Sequence, residues 1–442
     1  MPNNWKTYKL GDIAENVSRR FDFDKYEKAV FINTGDVLEG KFLHNEIKDG
    51  DGLPGQAKKA IQKGDILFSE IRPKNKRYAL VDFEANNYVV STKFMVIVSD
   101  NLKVDEKYFL QLLTSNQKLA ELQMIAEGRS GTFPQITFDA ISHIEFNLPP
   151  LPEQKAIANI LSAIDDKIEN NLAINKTLED MAMALYKHWF VDFGPFQDGE
   201  FIDSELGPIP KGWEVRKIKD FVNHQKGFAF KSKWYQEKGK LVVRVSDTTH
   251  NSINVESCNK ISYELASKHD DYSLDVDDVI IATVGSWPPN YSSVVGKVVR
   301  VPITAEGGLL NQNAVRLKMN IANEKYQSLL YCILKDNRFL NYIVNSAQGS
   351  ASQASIKLVD IFNYSIPFGG RKIIKEFSSL IASKFAQQNA IALENQSLTQ
   401  LRDTLLPKLI SGEVRLKEFK EQIESVIVSK ERTTQKKTSL RT

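Results

Sequence analysis

Leu148-Pro149-Pro150-Leu151-Pro152-Glu153-Gln154 opens a run of good helix formers that closes at Trp189-Phe190-Val191-Asp192-Phe193, with Gly194-Pro195 following. Neither Pro nor Gly interrupts between Pro152 and Gly194. Proline suits a first helical turn and glycine an exit, so the stretch predicts one helix of about 37 residues, roughly 55 Å at 1.5 Å per residue. Leu161, Ile164, Ile168, Leu172, Leu178, Ala182, Leu185 and Trp189 recur at steps near three and four. That is a narrow apolar stripe, as in a two-helix coiled coil rather than a deeply buried helix. Asn171 and Asn175 fall on or beside it, where a buried amide can fix register against a partner helix; a solvated patch is the other reading.

The chain on either side of this helix repeats itself. Trp5-Lys6-Thr7-Tyr8-Lys9-Leu10 returns as Trp213-Glu214-Val215-Arg216-Lys217-Ile218, and Gly64-Asp65-Ile66-Leu67-Phe68 as Asp277-Asp278-Val279-Ile280-Ile281. Asp105-Glu106-Lys107-Tyr108 returns as Asn323-Glu324-Lys325-Tyr326, and the polar loop at Gly128 as Gln348-Gly349-Ser350. The helix itself returns from about Arg371 to Leu406, with Phe377, Ile381, Phe385, Ile391, Leu398, Leu401 and Leu405 on one side. Short β-branched and aromatic runs bounded by Gly, Asn and Asp read as strands, and Glu106 to Ala126 as a helical segment. The expected fold class is α+β: two similar strand-rich domains separated by a pair of long antiparallel coiled-coil helices, with approximate two-fold symmetry. The expected divisions are residues 1–148, 149–205 (central helix and linker), 206–367, 368–426 (distal helix) and a basic disordered tail at 427–442.

At 442 residues the chain exceeds one ordinary core, and 42% hydrophobic with 26% charged residues is the balance of a soluble globular protein. Net charge +3 tolerates an anionic partner without demanding one. Cys258 and Cys332 give no disulfide framework. With no signal-like N-terminus and no long apolar run, a cytoplasmic location and no membrane association are expected.

Few motifs carry chemistry. Gly35-Asp36-Val37-Leu38-Glu39-Gly40-Lys41 has P-loop spacing, but Phe42 stands where a Ser or Thr must hold magnesium. Gly50-Asp51-Gly52-Leu53-Pro54-Gly55 has the dinucleotide pattern but carries Pro54 inside the turn. Both are read as turns. The six histidines are scattered without ligand spacing, so no metal site is expected, and no catalytic constellation is present. What remains are polar loops in matching places. In the first copy these are Arg72, Lys74, Lys76 and Arg77, with Arg129, Ser130, Thr132 and Gln135 along the glycine loop. In the second they are Trp287, Asn290 and Tyr291, then Asn311 and Gln312, then Gln348, Ser350 and Gln353. Arg, Lys, Asn and Gln are the side chains that read base edges or hold phosphates. Two diverged copies held apart are how a protein reads two half-sites of DNA.

Leu148 to Asp165 resembles the central signature of the specificity (S) subunits of type I restriction-modification systems. Leu185-Tyr186-Lys187-His188-Trp189-Phe190-Val191-Asp192-Phe193, Ile209-Pro210-Lys211-Gly212-Trp213 and Leu405-Leu406-Pro407-Lys408-Leu409-Ile410-Ser411-Gly412-Glu413 agree with that family, in its order. The second copy departs from it, with Pro367-Phe368-Gly369-Gly370-Arg371 in place of the fuller proline run. The resemblance implies two target-recognition domains reading a bipartite, asymmetric sequence in double-stranded DNA, with the helices as a ruler. It implies a non-catalytic chain bound to two methyltransferase subunits and to motor-nuclease subunits. S-adenosylmethionine, ATP and Mg2+ would belong to those partners, and Glu153, Gln154, Trp189 and Phe190 are the expected subunit-binding residues. Competing readings are a coiled-coil scaffold joining two protein-binding domains, an enzyme with a cryptic site, and an S subunit that serves methylation alone.

Overall fold

The computed structural model describes residues 4–129, 133–287, 294–321, 324–350 and 353–414. The tail expected at 427–442 lies outside them. The chain divides into two compact units, Met1–Lys167 with Gln400–Thr442, and Ile168–Thr399. Each of the two long helices, Leu151–Phe190 and Arg371–Ser411, gives one segment to each unit.

In the first unit an antiparallel sheet runs Tyr78–Leu80, Ile66–Ser69, Phe94–Ser99, Ala14–Val17 in spatial order. A second sheet contains the parallel pair Lys28–Ile32 and Tyr88–Ser91, and Lys6–Lys9 pairs with Glu145–Leu148 just ahead of the central helix. The second unit repeats the order of the first sheet and the parallel pair, though its second sheet has three strands where the first unit's has five. Its antiparallel sheet runs Val298–Arg300, Val279–Ala282, Ala314–Ile321, Val222–Lys226; its parallel pair is Lys240–Val243 with Leu309–Leu310. Glu214–Lys217 pairs with Ser365–Phe368 just ahead of the distal helix. Turn chemistry repeats too. Asp65 accepts from the Gln62 N–H at 2.7 Å, and Asp278 from the Asp275 N–H at 2.9 Å. The residue before each takes a left-handed conformation, Gly64 at φ +95° and Asp277 at φ +68°. The duplication is therefore one of topology and turn geometry as well as of sequence.

The helix segments pair antiparallel. In the second unit Asn171 Nδ2 donates to Glu394 Oε2 and Asn395 Oδ1 at 2.8 and 2.7 Å, and Gln388 Nε2 donates to the Asn175 carbonyl at 2.8 Å. Partner numbers fall as the first number rises. In the first unit Arg402 reaches Asp165 at 3.0 Å, and Leu405, Leu409 and Ile410 pack with Ile157, Ala158 and Leu161.

Local structure departs from the sequence expectations in three places. Leu172 is 54% exposed, while Asn171 is 1% exposed. The seam steps Ile164, Ile168, Asn171, Asn175, Leu178, Ala182, alternating four and three, with Ile168 and Asn175 half-buried and the others buried, and position 172 falls off it by one residue's rotation. The segment from Glu106 is two helices, Glu106–Leu113 and Asn116–Arg129, because the Thr114 hydroxyl bonds back to the Leu110 carbonyl and Ser115 Oγ accepts from Lys118 N–H. The second unit breaks at the matching place, where Asp336 caps the helix Asn337–Ser346. The distal helix passes through Pro407 to Ser411 instead of stopping at Leu406. A helical proline costs about 3 kcal/mol, whereas burying Leu405, Leu409 and Ile410 returns about 1.5–3 kcal/mol each. Both phosphate-loop look-alikes are turns: Glu39-Gly40 joins Val37–Leu38 to Lys41–Phe42, and Gly50–Gly52 is a single 3-10 turn.

Candidate nucleic-acid interface

Both units hold their polar loops on one backbone frame at the end of an inner strand. In the first unit the Glu70 N–H donates to the Lys93 carbonyl at 3.0 Å, and the Glu70 carbonyl accepts from Ile136 N–H at 2.9 Å. Ile71 bridges to Gln135, and Arg72 N–H donates to the Pro134 carbonyl at 3.1 Å. The Arg72–Arg77 loop thus lies beside the run that follows the glycine loop. In the second unit the Thr283 N–H donates to the Asn313 carbonyl at 2.9 Å, and its carbonyl accepts from Ile356 N–H at 3.0 Å. Val284–Gly285 pairs with Gln353–Ser355, which pairs in turn with Gln348–Ser350, and Trp287 Nε1 donates to the Ser350 carbonyl at 2.8 Å. Such bonds leave side chains free to diverge, because they are made by backbone groups. Gly227 lets a neighbouring strand cross close by; a Cβ there would stand 1.9 Å from the Asn311 carbonyl oxygen.

The loop residues divide by what they already hold. Arg72 and Lys76 flank the turn Pro73–Asn75 with φ of 45° and 54°. A left-handed non-glycine residue costs on the order of 1–3 kcal/mol and such strain gathers at functional sites. Arg72 and Lys74 are exposed, the Arg72 guanidinium lying 5.9 Å from the Phe133 ring centre. Lys74 is held by its backbone, whose N–H donates to Gln123 at 3.1 Å, with its ammonium 4.0 Å from Glu127. Lys76 and Arg77 are instead tied to groups of their own unit. The Glu39 carboxylate, 2.7 Å away, raises the Lys76 pKa, and Arg77 donates to the Gly35 and Val37 carbonyls at 2.9 and 3.0 Å. Gln135 is half-buried. In the second unit Gln312, Gln348, Ser350 and Gln353 are exposed and Trp287 is half-buried against the core. Asn311 is a correction to the sequence expectation, for it is buried and its N–H serves the Val243 carbonyl. Ser130, Thr132, Asn290 and Tyr291, and the side chain of Arg129, lie outside the described residues.

The shared frame adds a residue that sequence reading missed. Lys93, exposed, occupies the place that Asn313 holds in the second unit. The signal lay in the strand that follows each of them, Phe94–Ser99 and Ala314–Ile321, which aligns only once the sheets are superposed in order.

Two expected subunit-binding residues face inward. Gln154 is 1% exposed; its amide donates to the Lys103 and Pro149 carbonyls at 2.9 and 2.8 Å and accepts from Asp105 N–H at 3.0 Å. It fastens the start of the central helix to its own unit. Phe190 is 3% exposed, its ring 5.0 Å from Phe377 and 5.8 Å from Trp213. Trp189 is half-buried against Phe196 and Phe377, and Glu153 is half-buried. The distal helix is fastened by different chemistry, Arg371 and Lys375 pairing with Glu324 at 2.9 and 3.3 Å. Cys258 and Cys332 are buried free thiols, and burial pushes Cys258 up to about 12. Among the described residues no group of three or more His, Cys, Asp or Glu is placed to hold a metal, and no helix is long and apolar enough to cross a membrane.

The family described as the type I restriction modification DNA specificity domain matches residues 2–180 and again 210–399. The type I restriction enzyme HindI specificity subunit of Haemophilus influenzae is 34% identical over 93% of this chain and 100% of its own length. The MjaIX specificity subunit of Methanocaldococcus jannaschii is 32% identical over 95% of each chain. The crystal structure of a type I restriction-modification S subunit from M. genitalium covers 92% of this chain and 97% of its own at TM-score 0.53 and 15% identity, a likeness of fold. With both halves matched by one domain family and with two full-length relatives above 30% identity, the chain belongs to the specificity subunits of type I restriction-modification systems.

Proposed function

We propose that this chain reads a bipartite DNA target, one half-site per unit, and is the non-catalytic subunit on which methyltransferase and motor-nuclease subunits assemble. The observation that carries this reading is the repeated loop frame. The same backbone hydrogen bonds at Glu70 and Thr283 present Arg72, Lys74 and Lys93 in one unit and Gln312, Gln348 and Gln353 in the other. A scaffold that binds two like proteins has no need to diverge there, whereas two unlike half-sites do.

Arg72, Lys74 and Lys93 hold phosphates and base edges of one half-site, and the amide-rich loops of the second unit read the other. Charged contacts make affinity fall steeply with salt. Each well-made bidentate pair discriminates by about 1–3 kcal/mol. The paired helices set the gap between half-sites. Two methyltransferase subunits bring S-adenosylmethionine to target adenines, and the nuclease partners bring ATP and Mg2+. Leu172, Met181, Leu380 and Leu393, exposed on the long helices, are better anchors for such partners than Gln154 or Phe190.

Modified-base sequencing of DNA from cells expressing this chain with its cognate methyltransferase subunit tests the reading. N6-methyladenine is expected in a two-part motif with a fixed gap, and only when this chain is present. An assembled complex that leaves no motif would return the scaffold reading to first place.

A further inference from the structure

Unit 2 contains a cleft of about 660 Å³ that the loop frame does not use. One wall is the second half of the central helix, with Lys176, Met183 and Lys187, and Val191 just past its end; the other carries Val294, Lys297 and Val298, and Lys335, Arg338 and Leu340 line it further along. We propose that this cleft binds a nucleotide, its phosphates against Lys187, Lys297 and Lys335 and its base against the apolar wall of Met183, Val294 and Leu340.

Charge supports this. Lys176, Lys187, Lys297, Lys335 and Arg338 face Glu179, Asp180 and Asp336. Each acid is engaged, Asp180 and Asp336 by Lys176 and Arg338 of the cleft itself, so the phosphates fall to Lys187, Lys297 and Lys335. Glu179 accepts from the Tyr331 hydroxyl at 2.6 Å and from Asn251, Asp180 holds Lys176 at 2.5 Å, and Asp336 holds Arg338 at 2.8 Å. Lys187 is held by Asp192 at 2.6 Å, on the exposed rim. Lys335 donates to the His250 carbonyl at 2.7 Å and stands 3.8 Å from Glu179; Lys297 donates to the Thr248 carbonyl at 3.0 Å. Burial lowers the pKa of both Lys335 and Lys297, and the Lys335 charge, then burial, lowers that of His250. The Lys335 charge bears on both Lys297 and His250 in a concave site, which concentrates positive potential there, and an anion relieves it. The apolar residues argue against a bare inorganic anion. The volume lies within the range of small-ligand sites.

The ligand is either a free nucleotide or a nucleotide of a bound DNA strand, and one experiment separates them. The full chain, labelled at methionine methyl groups, is titrated by NMR with ATP, pyrophosphate and adenosine, and the Met183 signal is assigned with Met183→Leu. ATP should shift Met183 saturably, with pyrophosphate and adenosine each weaker by about tenfold or more. Lys187→Gln, on the exposed rim, should weaken ATP by about tenfold with little change in the unfolding midpoint. An unmoved Met183 at millimolar ATP would overturn the proposal, as would equal binding of all three probes. Displacement of ATP by duplex DNA assigns the site to the strand; simultaneous binding assigns it to a free nucleotide. The ATP arm is run without DNA, so its outcome does not depend on what the loops read.

Discussion

Arg72 and Arg77 sit on one loop and do opposite things. Arg72 is exposed on a left-handed backbone, while Arg77 is tied to two carbonyls of its own unit. Arg72→Ala should weaken DNA binding at one half-site by about 1–3 kcal/mol and leave the other half-site intact, as measured by affinity for duplexes with one half-site scrambled. Arg77→Ala should instead lower stability by about 1–2 kcal/mol, because the part-buried Val37 carbonyl loses a charged donor, and urea unfolding reads this directly. Equal losses of DNA affinity with no change in stability would contradict the division drawn between the two residues. The sequence made both arginines candidates. Which one projects depended on where Gly35 and Val37 came to lie, and that is a matter of tertiary contact.

At the scale of elements, the seam of the helix pair is polar in the middle. Asn171→Leu removes an amide bonded to Glu394 and Asn395. Glu394 is exposed and can return to water, so stability should change by less than about 1.5 kcal/mol. Register should loosen, because a buried amide penalises shifted pairings; the recognised gap should broaden in modified-base sequencing. A single unchanged gap would show that apolar packing alone sets register. The docking of the distal helix carries a pH signature. The Tyr326 hydroxyl, then Arg371 and Lys375, hold the Glu324 carboxyl at about 2 against an ordinary 4.5. A lowered carboxyl contributes stability that is complete above the ordinary value and is lost as pH falls through the folded one. Glu324→Gln should therefore flatten the fall in urea midpoint between about pH 5 and pH 2, weakly and less so in high salt, since the site is open to solvent. An acid limb as steep as the parent's would remove Glu324 from that account.

At the scale of the whole molecule, the ruler is the testable property. One matched heptad added to both long helices lengthens each by about 10 Å, or about 3 base pairs at 3.4 Å each. The methylated motif should gain that gap with both half-sites unaltered; altered half-sites would refute the ruler. What this chain owes to sequence alone is its duplication, its fold class, its two long helices and the class of its loops. Those follow from local periodicity, from proline and glycine at helix boundaries, and from a repeated order of motifs, all of which survive divergence. Tertiary structure alone decided that Asn171 rather than Leu172 lies in the seam, that the distal helix runs through Pro407, and that Gln154 and Phe190 serve their own units. It also decided that Lys93 shares a frame with Asn313. The first three set a local preference against burial among residues distant in the chain, and burial outweighs it; the last rests on backbone hydrogen bonds between strands distant in sequence.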